Sequence, residues 1–287
     1  MSAVVTHRDD MRPAARSGSV LRLAGGRVLG DVSTVVSIAV WEILGHFRRP
    51  AAYVMLLAAT LVAGWHFSLL MTLLAQGRVV PLRQADDPLA QFLGPNVFLV
   101  FSLMLIVPVV TMGMVADERR RGIWEMLLTT PVQPWQVLTG KFAAAWVAVV
   151  VNVLPWICCL LALRYWPGIG LEFDRGYLIG GVIGIATISL SLCAVGMVCT
   201  TLCKAPFAAS VATVSAMIGL LLVSLVPRAM LHWHIGEAWV SVAERFACWE
   251  HLARFSTGAI DPSVICGHVS FSVCLLWIAC QATRGHD

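Results

Sequence analysis

Charged residues are scarce in this sequence. Asp, Glu, Lys and Arg make up 13% of its 287 residues, whereas hydrophobic residues make up 59%. Soluble domains carry about 25% charged residues, so this composition excludes a soluble protein. The formal net charge of +4 is modest, and we predict no nucleic-acid partner.

The sequence also lacks the motifs of nucleotide-binding and hydrolytic enzymes. It has no G-x-x-x-x-G-K-[ST], H-E-x-x-H, paired C-x-x-C or G-x-S-x-G. The Gly140-Lys141 pair has no upstream glycine at the phosphate-loop spacing, so it does not encode a phosphate-binding loop. We therefore expect no catalytic residue and no cofactor in this chain.

A disulfide framework is not expected from the nine cysteines. Seven of them fall within apolar runs, where cysteine packs as a small hydrophobic residue. Cys248 and Cys266 are the two that could face an oxidising compartment, which leaves one candidate bridge.

Six long stretches contain no Asp, Glu, Lys or Arg. They are approximately 51–76, 96–116, 142–163, 177–203, 205–226 and 264–283. A helix needs about 20 residues to cross a hydrocarbon core, and a backbone in lipid must pair its own polar groups. Continuous apolar runs favour helices over a β-barrel. We predict an all-α membrane protein with six transmembrane helices.

The distribution of Lys and Arg predicts the orientation of these spans. With both termini in the cytoplasm, the cytoplasmic side holds 13 of the 20 Lys and Arg and the opposite side holds seven. Positive residues are enriched in cytoplasmic loops. We therefore predict a multi-pass protein of the cell inner membrane with cytoplasmic N- and C-termini.

Two segments are predicted before the first span. Residues 1–34 show no sustained periodicity and predict a disordered cytoplasmic tail. Residues 35–49 have helical hydrophobic spacing and predict an amphipathic elbow helix in the membrane interface, which also contacts lipid. Its candidate interfacial residues are Trp41, Phe47, Arg48, Arg49 and Pro50. The alternative is that 35–49 begins one long bent first span.

The charged segment 117–141 interrupts the apolar chain between spans 2 and 3. It combines the 119–121 arginine run with a short helical pattern that Pro131 ends. A short helix with an apolar face and one acidic residue, Glu125, suits a groove in a partner protein. We predict that 117–141 is a docking segment. The alternative is a solvated loop whose arginines only set the topology.

Three further features are noted along the chain. His66 lies inside the first span and is expected to be neutral and hydrogen-bonded to a neighbouring helix. Gly180 and Gly184 have a G-x-x-x-G spacing that favours close helix packing, within one subunit or between two. An amphipathic helix is predicted before span 6, on the outer face of the membrane, with Asp261 and Pro262 starting the last span.

The residues 118–141, E-R-R-R-G-I-W-E-M-L-L-T-T-P-V-Q-P-W-Q-V-L-T-G-K, resemble the permease subunits of type 2 ATP-binding cassette (ABC) transporters. Those permeases show a Glu/Arg–Gly–Thr–x–Glu–x–Leu–Leu–x–x–Pro pattern followed by Gly-Lys, and Ile123 here replaces the usual threonine. F-R-R-P-A-A-Y-V at 47–54 and H-L-A-R-F-S-T-G-A-I-D at 251–261 look like the subgroup of gliding-motility and copper-enzyme-maturation permeases.

The resemblance implies a permease domain over 35–287, with an elbow helix and a coupling helix in the segment 117–141 that docks on an ABC ATPase subunit. It also implies a second permease subunit, identical or different, and places ATP and Mg in the partner ATPase. The residues it assigns to ATPase coupling are Glu118, Arg119, Arg120, Arg121, Gly122, Glu125, Leu127, Leu128, Pro131 and Lys141. No substrate residue is implied.

Three hypotheses follow. The first is a permease that moves a substrate across the membrane with ATP hydrolysed by a separate chain. The second is a membrane scaffold or assembly factor, for example in metalloenzyme maturation, that binds a partner without solute flux. The third is a metal-handling factor that uses His232 and His234 near Glu237, although this spacing is not typical of a metal site and we assign no metal ligands.

Overall fold

The computed structural model describes residues 14–75, 92–122, 132–165, 175–232 and 247–284. The described helices are α1 (Ala14–Arg48), α2 (Pro50–Ala75), α3 (Val97–Met112), α4 (Ala116–Arg120), α5 (Pro134–Tyr165), α6 (Arg175–Leu202), α7 (Pro206–His232), α8 (Cys248–Ser256) and α9 (Pro262–Arg284). Within these ranges there is no strand. The predicted all-α class is confirmed.

Six helical stretches are long and apolar enough to cross a membrane. They are Pro50–Thr72, Val97–Arg120, Pro134–Ala162, Gly176–Leu202, Pro206–Ser224 and Pro262–Thr283. Both ends of each stretch lie within four residues of the predicted ends, except that the third begins eight residues earlier, at Pro134. Proline suits the first helical turn because its missing N–H has no partner there, which accounts for the starts at Pro50, Pro134, Pro206 and Pro262.

The N-terminal helix differs from its prediction. α1 is one helix from Ala14 to Arg48, so the part of the predicted disordered tail 1–34 that the structure describes, 14–34, is helical. Residues 1–13 lie outside the described ranges. Helix cooperativity accounts for this difference, because a helix that is already nucleated at 35–48 gains one hydrogen bond for each residue added. Only Arg49 separates α1 from α2.

α6 is the central helix of the bundle. It packs against α3, α5, α7, α8 and α9. Close approach depends on small residues: a Cβ on Gly196 would lie 2.6 Å from the Thr111 hydroxyl, and a Cβ on Gly184 would lie 2.5 Å from the Phe255 Cβ. The predicted glycine spacing therefore serves packing within this chain, against α8.

Two polar caps fix the starts of spans. Asn96 Oδ1 accepts a hydrogen bond from the Leu99 N–H at 2.7 Å, before α3. Asp261 Oδ1 accepts hydrogen bonds from the Ser263 N–H at 2.9 Å and its hydroxyl at 2.8 Å, and these bonds lower the pKa of the Asp261 carboxyl. The predicted cap by Asp261 with Pro262 in the first turn is confirmed.

Both cysteines of the candidate bridge are free. Cys248 begins α8, and Cys266 lies exposed in the first turns of α9. Burial raises the pKa of the Cys248 thiol to about 11. The thiol is therefore protonated near neutral pH and packs as an apolar group.

Candidate functional site

Lys141 lies between two carboxylates from two other helices. Its Nζ, on α5, donates to Glu42 Oε1 on α1 and to Glu118 Oε1 on α4, the latter at 2.6 Å. Lys141 is only 2% exposed, and the two glutamate side chains are 24% and 21% exposed. We call Glu42, Glu118 and Lys141 the charge cluster. It joins both ends of the segment 117–141 to α1.

A glycine allows α1 to lie close to α5 beside the charge cluster. A Cβ on Gly140 would lie 2.8 Å from Ile38 Cγ2 and 3.0 Å from the Val35 carbonyl oxygen, both on α1. One turn earlier on α5, Gln136 Nε2 donates to Asp31 Oδ1 at 2.7 Å. The Gly140-Lys141 pair thus has a structural explanation: the glycine permits the contact, and the lysine neutralises the acids at it.

The start of the segment is joined to the end of α6. The Ala116 N–H donates to Thr200 Oγ1 at 3.1 Å, and Arg119 Nη1 donates to the Thr201 carbonyl oxygen at 2.8 Å. A guanidinium at a helix C-terminus pairs with carbonyls that lack intrahelical partners and with the negative end of the helix dipole. Arg119 therefore links α4 to α6.

The rest of the arginine run is more exposed. Arg121 forms an ion pair with Asp117 at 2.9 Å, one turn apart on a solvent-facing side, and such pairs contribute little to stability. Arg120 is exposed. Gly122 ends the described part of this segment with φ +72°, a conformation that glycine adopts without steric cost.

The charge cluster depends on mutual pairing. Moving charges out of water is costly, and a buried charge is tolerated when a partner and hydrogen bonds compensate it. Lys141 compensates two acids, and the Arg49 guanidinium also attracts the Glu118 carboxylate. Glu118 Oε2 is buried and has no hydrogen-bond partner among the described residues. Two positive and two negative groups therefore meet at this corner of the bundle.

The residues predicted for an elbow helix lie at the end of α1 and the start of α2. Trp41 is 69% exposed, Arg48, Arg49 and Pro50 are exposed, and Phe47 packs edge-on against the His46 ring at 5.4 Å. Burial lowers the pKa of His46, and the neighbouring Arg49 lowers it further. On neighbouring faces of α1, about 100° apart around the helix, Trp41 is exposed to the surroundings and Glu42 contacts Lys141 on α5.

The predicted coupling residues fall into three groups. The first group, Glu118 and Lys141 in the charge cluster together with Arg119, contacts other helices. The second group lies beside it in the chain: Arg120, Arg121 and Gly122. The remaining four lie outside the described residues: Glu125, Leu127, Leu128 and Pro131.

Sequence reasoning missed the Lys141 partner Glu42. Glu42 lies in the segment 35–49, and its pairing with Lys141 spans 99 residues. Two signals were available. Glu42 is the only carboxylate between Asp31 and Asp86, and Lys141 is one of only two lysines in a chain that otherwise uses arginine.

His66 lies in an aromatic cluster. Its ring lies between those of Phe92 and Phe98, with centroids 4.7 and 4.8 Å away, and Trp156 lies 5.2 Å from it. Its Nδ1 has no hydrogen-bond partner among the described residues. Stacking, rather than the predicted hydrogen bond, therefore joins this histidine to the neighbouring helix.

No group of three metal-ligating side chains occurs in the part of the chain that the structure describes. His232 is the last residue of α7, whereas His234 and Glu237 lie outside the described residues. The metal-handling hypothesis therefore gains no support from this geometry.

Comparison with known proteins gives one family match. The family model described as ABC-2 family transporter protein matches residues 76–240, which is more than half of the chain. This range contains Glu118 and Lys141 and excludes Glu42. No curated protein matches the chain. With six helices able to cross a membrane, the chain is a multi-pass membrane protein that belongs to the ABC-2 transporter family.

Proposed function

We propose that this protein is the permease subunit of an ABC transporter and that a separate ATPase subunit docks on the segment 117–141. Family membership supports the transporter class. The segment contributes residues to the charge cluster but carries no phosphate-binding motif. ATP and Mg would then be bound by the partner chain, and this chain would perform no hydrolysis.

The observation that carries the proposal is the double connection of Lys141. Through Glu118 it holds the start of the segment, and through Glu42 it holds α1. An ATPase that moves the segment would move α1 and α5 with it, because separating these charges would leave buried groups unpaired.

The other end of this connection supports the same reading. Ala116 and Arg119 attach α4 to Thr200 and Thr201 at the end of α6. α6 in turn packs against five other helices. A displacement of the segment would therefore reach both a peripheral helix, α1, and the central helix of the bundle.

α1 and α2 contact the membrane, and α2 offers a surface for a second permease subunit. α1 acts as an elbow helix, with the exposed Trp41 at the headgroup level of the inner membrane. Both termini lie in the cytoplasm. α2 exposes an apolar face that includes Tyr53, Leu57 and Leu61, each at least 60% exposed, which suits lipid or a second permease, identical or different.

The test is copurification of ATPase activity. The tagged full-length chain is expressed in its own cells, extracted in mild detergent and assayed for vanadate-sensitive ATP hydrolysis. Glu125→Lys reverses the acid predicted to face the ATPase, and Asp86→Lys is the matched charge reversal in the loop predicted on the other side of the membrane. We expect at least a tenfold loss of copurified activity with Glu125→Lys and no loss with Asp86→Lys.

Equal recovery with both variants would contradict docking on this segment. The scaffold alternative is separated by reconstitution of the recovered complex in liposomes. The permease hypothesis requires solute flux coupled to ATP hydrolysis in these liposomes, whereas a scaffold gives no flux.

A further inference from the structure

A second buried polar cluster lies apart from the charge cluster, where α8 packs against α6 and α9. α8 rests on the first half of α6, where a Cβ on Gly180 would lie 2.4 Å from the Phe255 carbonyl oxygen. Ser191, on α6, lies roughly 14 Å along the helix axis from Thr200, since a helix rises about 1.5 Å per residue. α8 is therefore remote from the charge cluster.

Three side chains from three helices form a hydrogen-bonded chain there. Ser191 Oγ, on α6, lies 2.8 Å from His268 Nδ1 on α9, and His268 Nε2 lies 3.1 Å from His251 Nδ1 on α8. His251 and His268 are 5% and 6% exposed, and Ser191 is 1% exposed. The two imidazole rings are nearly perpendicular. This chain is the main polar connection that α8 makes with α6 and α9 among the bonds described.

The hydrogen-bonded side chains Ser191, His268 and His251 can hold only a limited number of protons. A hydrogen bond between the facing nitrogens of His251 and His268 needs one N–H and one lone pair, which two neutral imidazoles supply. If both rings become cationic, two N–H groups face each other and the bond is lost. Because Ser191 and His251 occupy both nitrogens of His268, a single added proton would leave a buried charge without a carboxylate in hydrogen-bond contact with that ring.

The described part of the chain places the following ionisable groups on the elements around the pair. α8 itself carries Glu250 and Arg254, and Asp261 in the turn before α9 attracts His251. The helices packed against α8 and α9 carry, besides His268, these ionisable residues: Arg175, Tyr177, Cys193 and Cys199 on α6, Cys266, Cys274, Cys280 and Arg284 on α9, Arg228 and His232 on α7, and Lys141, Cys158, Cys159, Arg164 and Tyr165 on α5. None of the groups on the facing helices is a carboxylate.

We propose that the His251–His268 pair is a proton-sensitive latch that holds α8 on the bundle at neutral pH and releases it in acid. In the closed state the hydrogen-bonded pair excludes a second proton, which it gains when α8 moves away and water reaches the two rings. The physical basis is linkage: a form that binds more protons becomes more populated as the pH falls. This inference does not depend on an ATPase or on the direction of transport.

The size of the pH effect on the release of α8 follows from the ordinary pKa of histidine. With a pKa of about 6.5 in the released state, this one excluded proton makes release about 30-fold more favourable at pH 5.0 than at pH 7.5. Opening of α8 exposes its backbone amides, so hydrogen exchange reports it directly.

The experiment measures amide hydrogen exchange of 248–256 in the full-length chain in lipid nanodiscs, at pH 5.0 and 7.5, corrected for the intrinsic pH dependence of exchange. Residues 206–216 of α7 serve as the internal reference. We expect the corrected rate for 248–256 to rise at least tenfold in acid relative to this reference. His268→Gln, which cannot be charged, should reduce that ratio at least threefold, and His66→Gln, outside the cluster, should keep the wild-type ratio.

Ser191→Ala is a second variant that retains both histidines. It should raise exchange of 248–256 at pH 7.5 because His268 loses its partner, while the acid response remains. A wild-type protein with no acid-dependent increase would overturn the proposal whatever the variants do. So would an equal acid response in the wild-type protein and the His268→Gln variant.

Discussion

Lys141 donates a hydrogen bond to Glu118 at 2.6 Å, although 22 residues of mostly polar and turn-forming sequence separate them along the chain. The pair closes the segment 117–141 into a loop whose two ends are held together at the surface of the bundle. The second acid on Lys141, Glu42, attaches this closed loop to α1. A partner bound to the loop would thus act on several helices at once.

Replacing Lys141 by methionine tests the energetic importance of this pairing. Lys141→Met keeps the length of the side chain but leaves Glu42 and Glu118 close together without the ammonium group that pairs with both of them. Breaking a buried ion pair by removing one partner costs about 3 kcal/mol or more. We expect a clear fall in the thermal unfolding temperature of the purified full-length protein.

The control removes the acids together with the lysine. Lys141→Met combined with Glu42→Gln and Glu118→Gln should recover most of the lost stability, because neutral groups of similar size replace the whole cluster. If Lys141→Met alone unfolds at the wild-type temperature, the cluster does not stabilise the bundle. Lys141→Arg should be destabilising too, since a planar guanidinium does not fit a site shaped for an ammonium group that is only 2% exposed.

Gly140→Ala tests the close approach of α1 to α5. The added Cβ would lie 2.8 Å from Ile38, so α1 must shift, at a cost of about 1–3 kcal/mol. Ile38→Ala in the same chain should relieve part of this cost. The measurement is the unfolding temperature, read alongside hydrogen exchange of 31–48.

Gly219→Ala is the matched control for that substitution. No atom lies within 4 Å of a Cβ at Gly219, and alanine favours a helix interior over glycine by about 1 kcal/mol. We expect this variant to be as stable as the wild-type protein or more so. Equal effects at Gly140 and Gly219 would mean that the α1–α5 contact is not as close as described.

The six spans could be predicted from the sequence because each rests on a local property. An apolar run of about 20 residues specifies a helix in lipid whatever surrounds it, and prolines such as Pro134 and Pro262 mark starts. The length of α1 could not be predicted in the same way. Its first residues lack an apolar stripe, and their helicity continues from the part that packs against Gly140 and Gln136.

The charge cluster was only half predictable. Lys141 and Glu118 were singled out through the family motif, but nothing in the local pattern around Glu42 specifies a lysine 99 residues away. The same limit applies to His251 and His268. Their contact depends on the turn that brings α8 against α9, and this turn is set by Gly258, whose φ is +77°.

Acidification should loosen the end of α1. Burial and the nearby Arg49 lower the pKa of His46 below its ordinary value of 6.5. The folded form therefore favours neutral His46, and its stability is complete above pH 6.5 and falls as the pH decreases toward the lowered pKa. Hydrogen exchange of the last turn of α1 at pH 7.5 and 5.5 measures this loss.

The control for that measurement is His46→Gln. Glutamine stays neutral, so exchange of the last turn of α1, corrected for its intrinsic pH dependence, should lose its acid response. A response that persists in His46→Gln would assign it to another group.

In the proposed permease, closure of the ATPase subunit reaches α1 through Lys141. The most direct measurement is hydrogen exchange of 31–48 in the isolated permease–ATPase complex, with and without trapping by ATP, Mg and vanadate. We expect trapping to change the exchange of 31–48 in the wild-type complex. We expect Lys141→Met to abolish this change while the ATPase stays bound. Exchange of 31–48 that is the same in both nucleotide states, or that responds equally in Lys141→Met, would contradict this proposal.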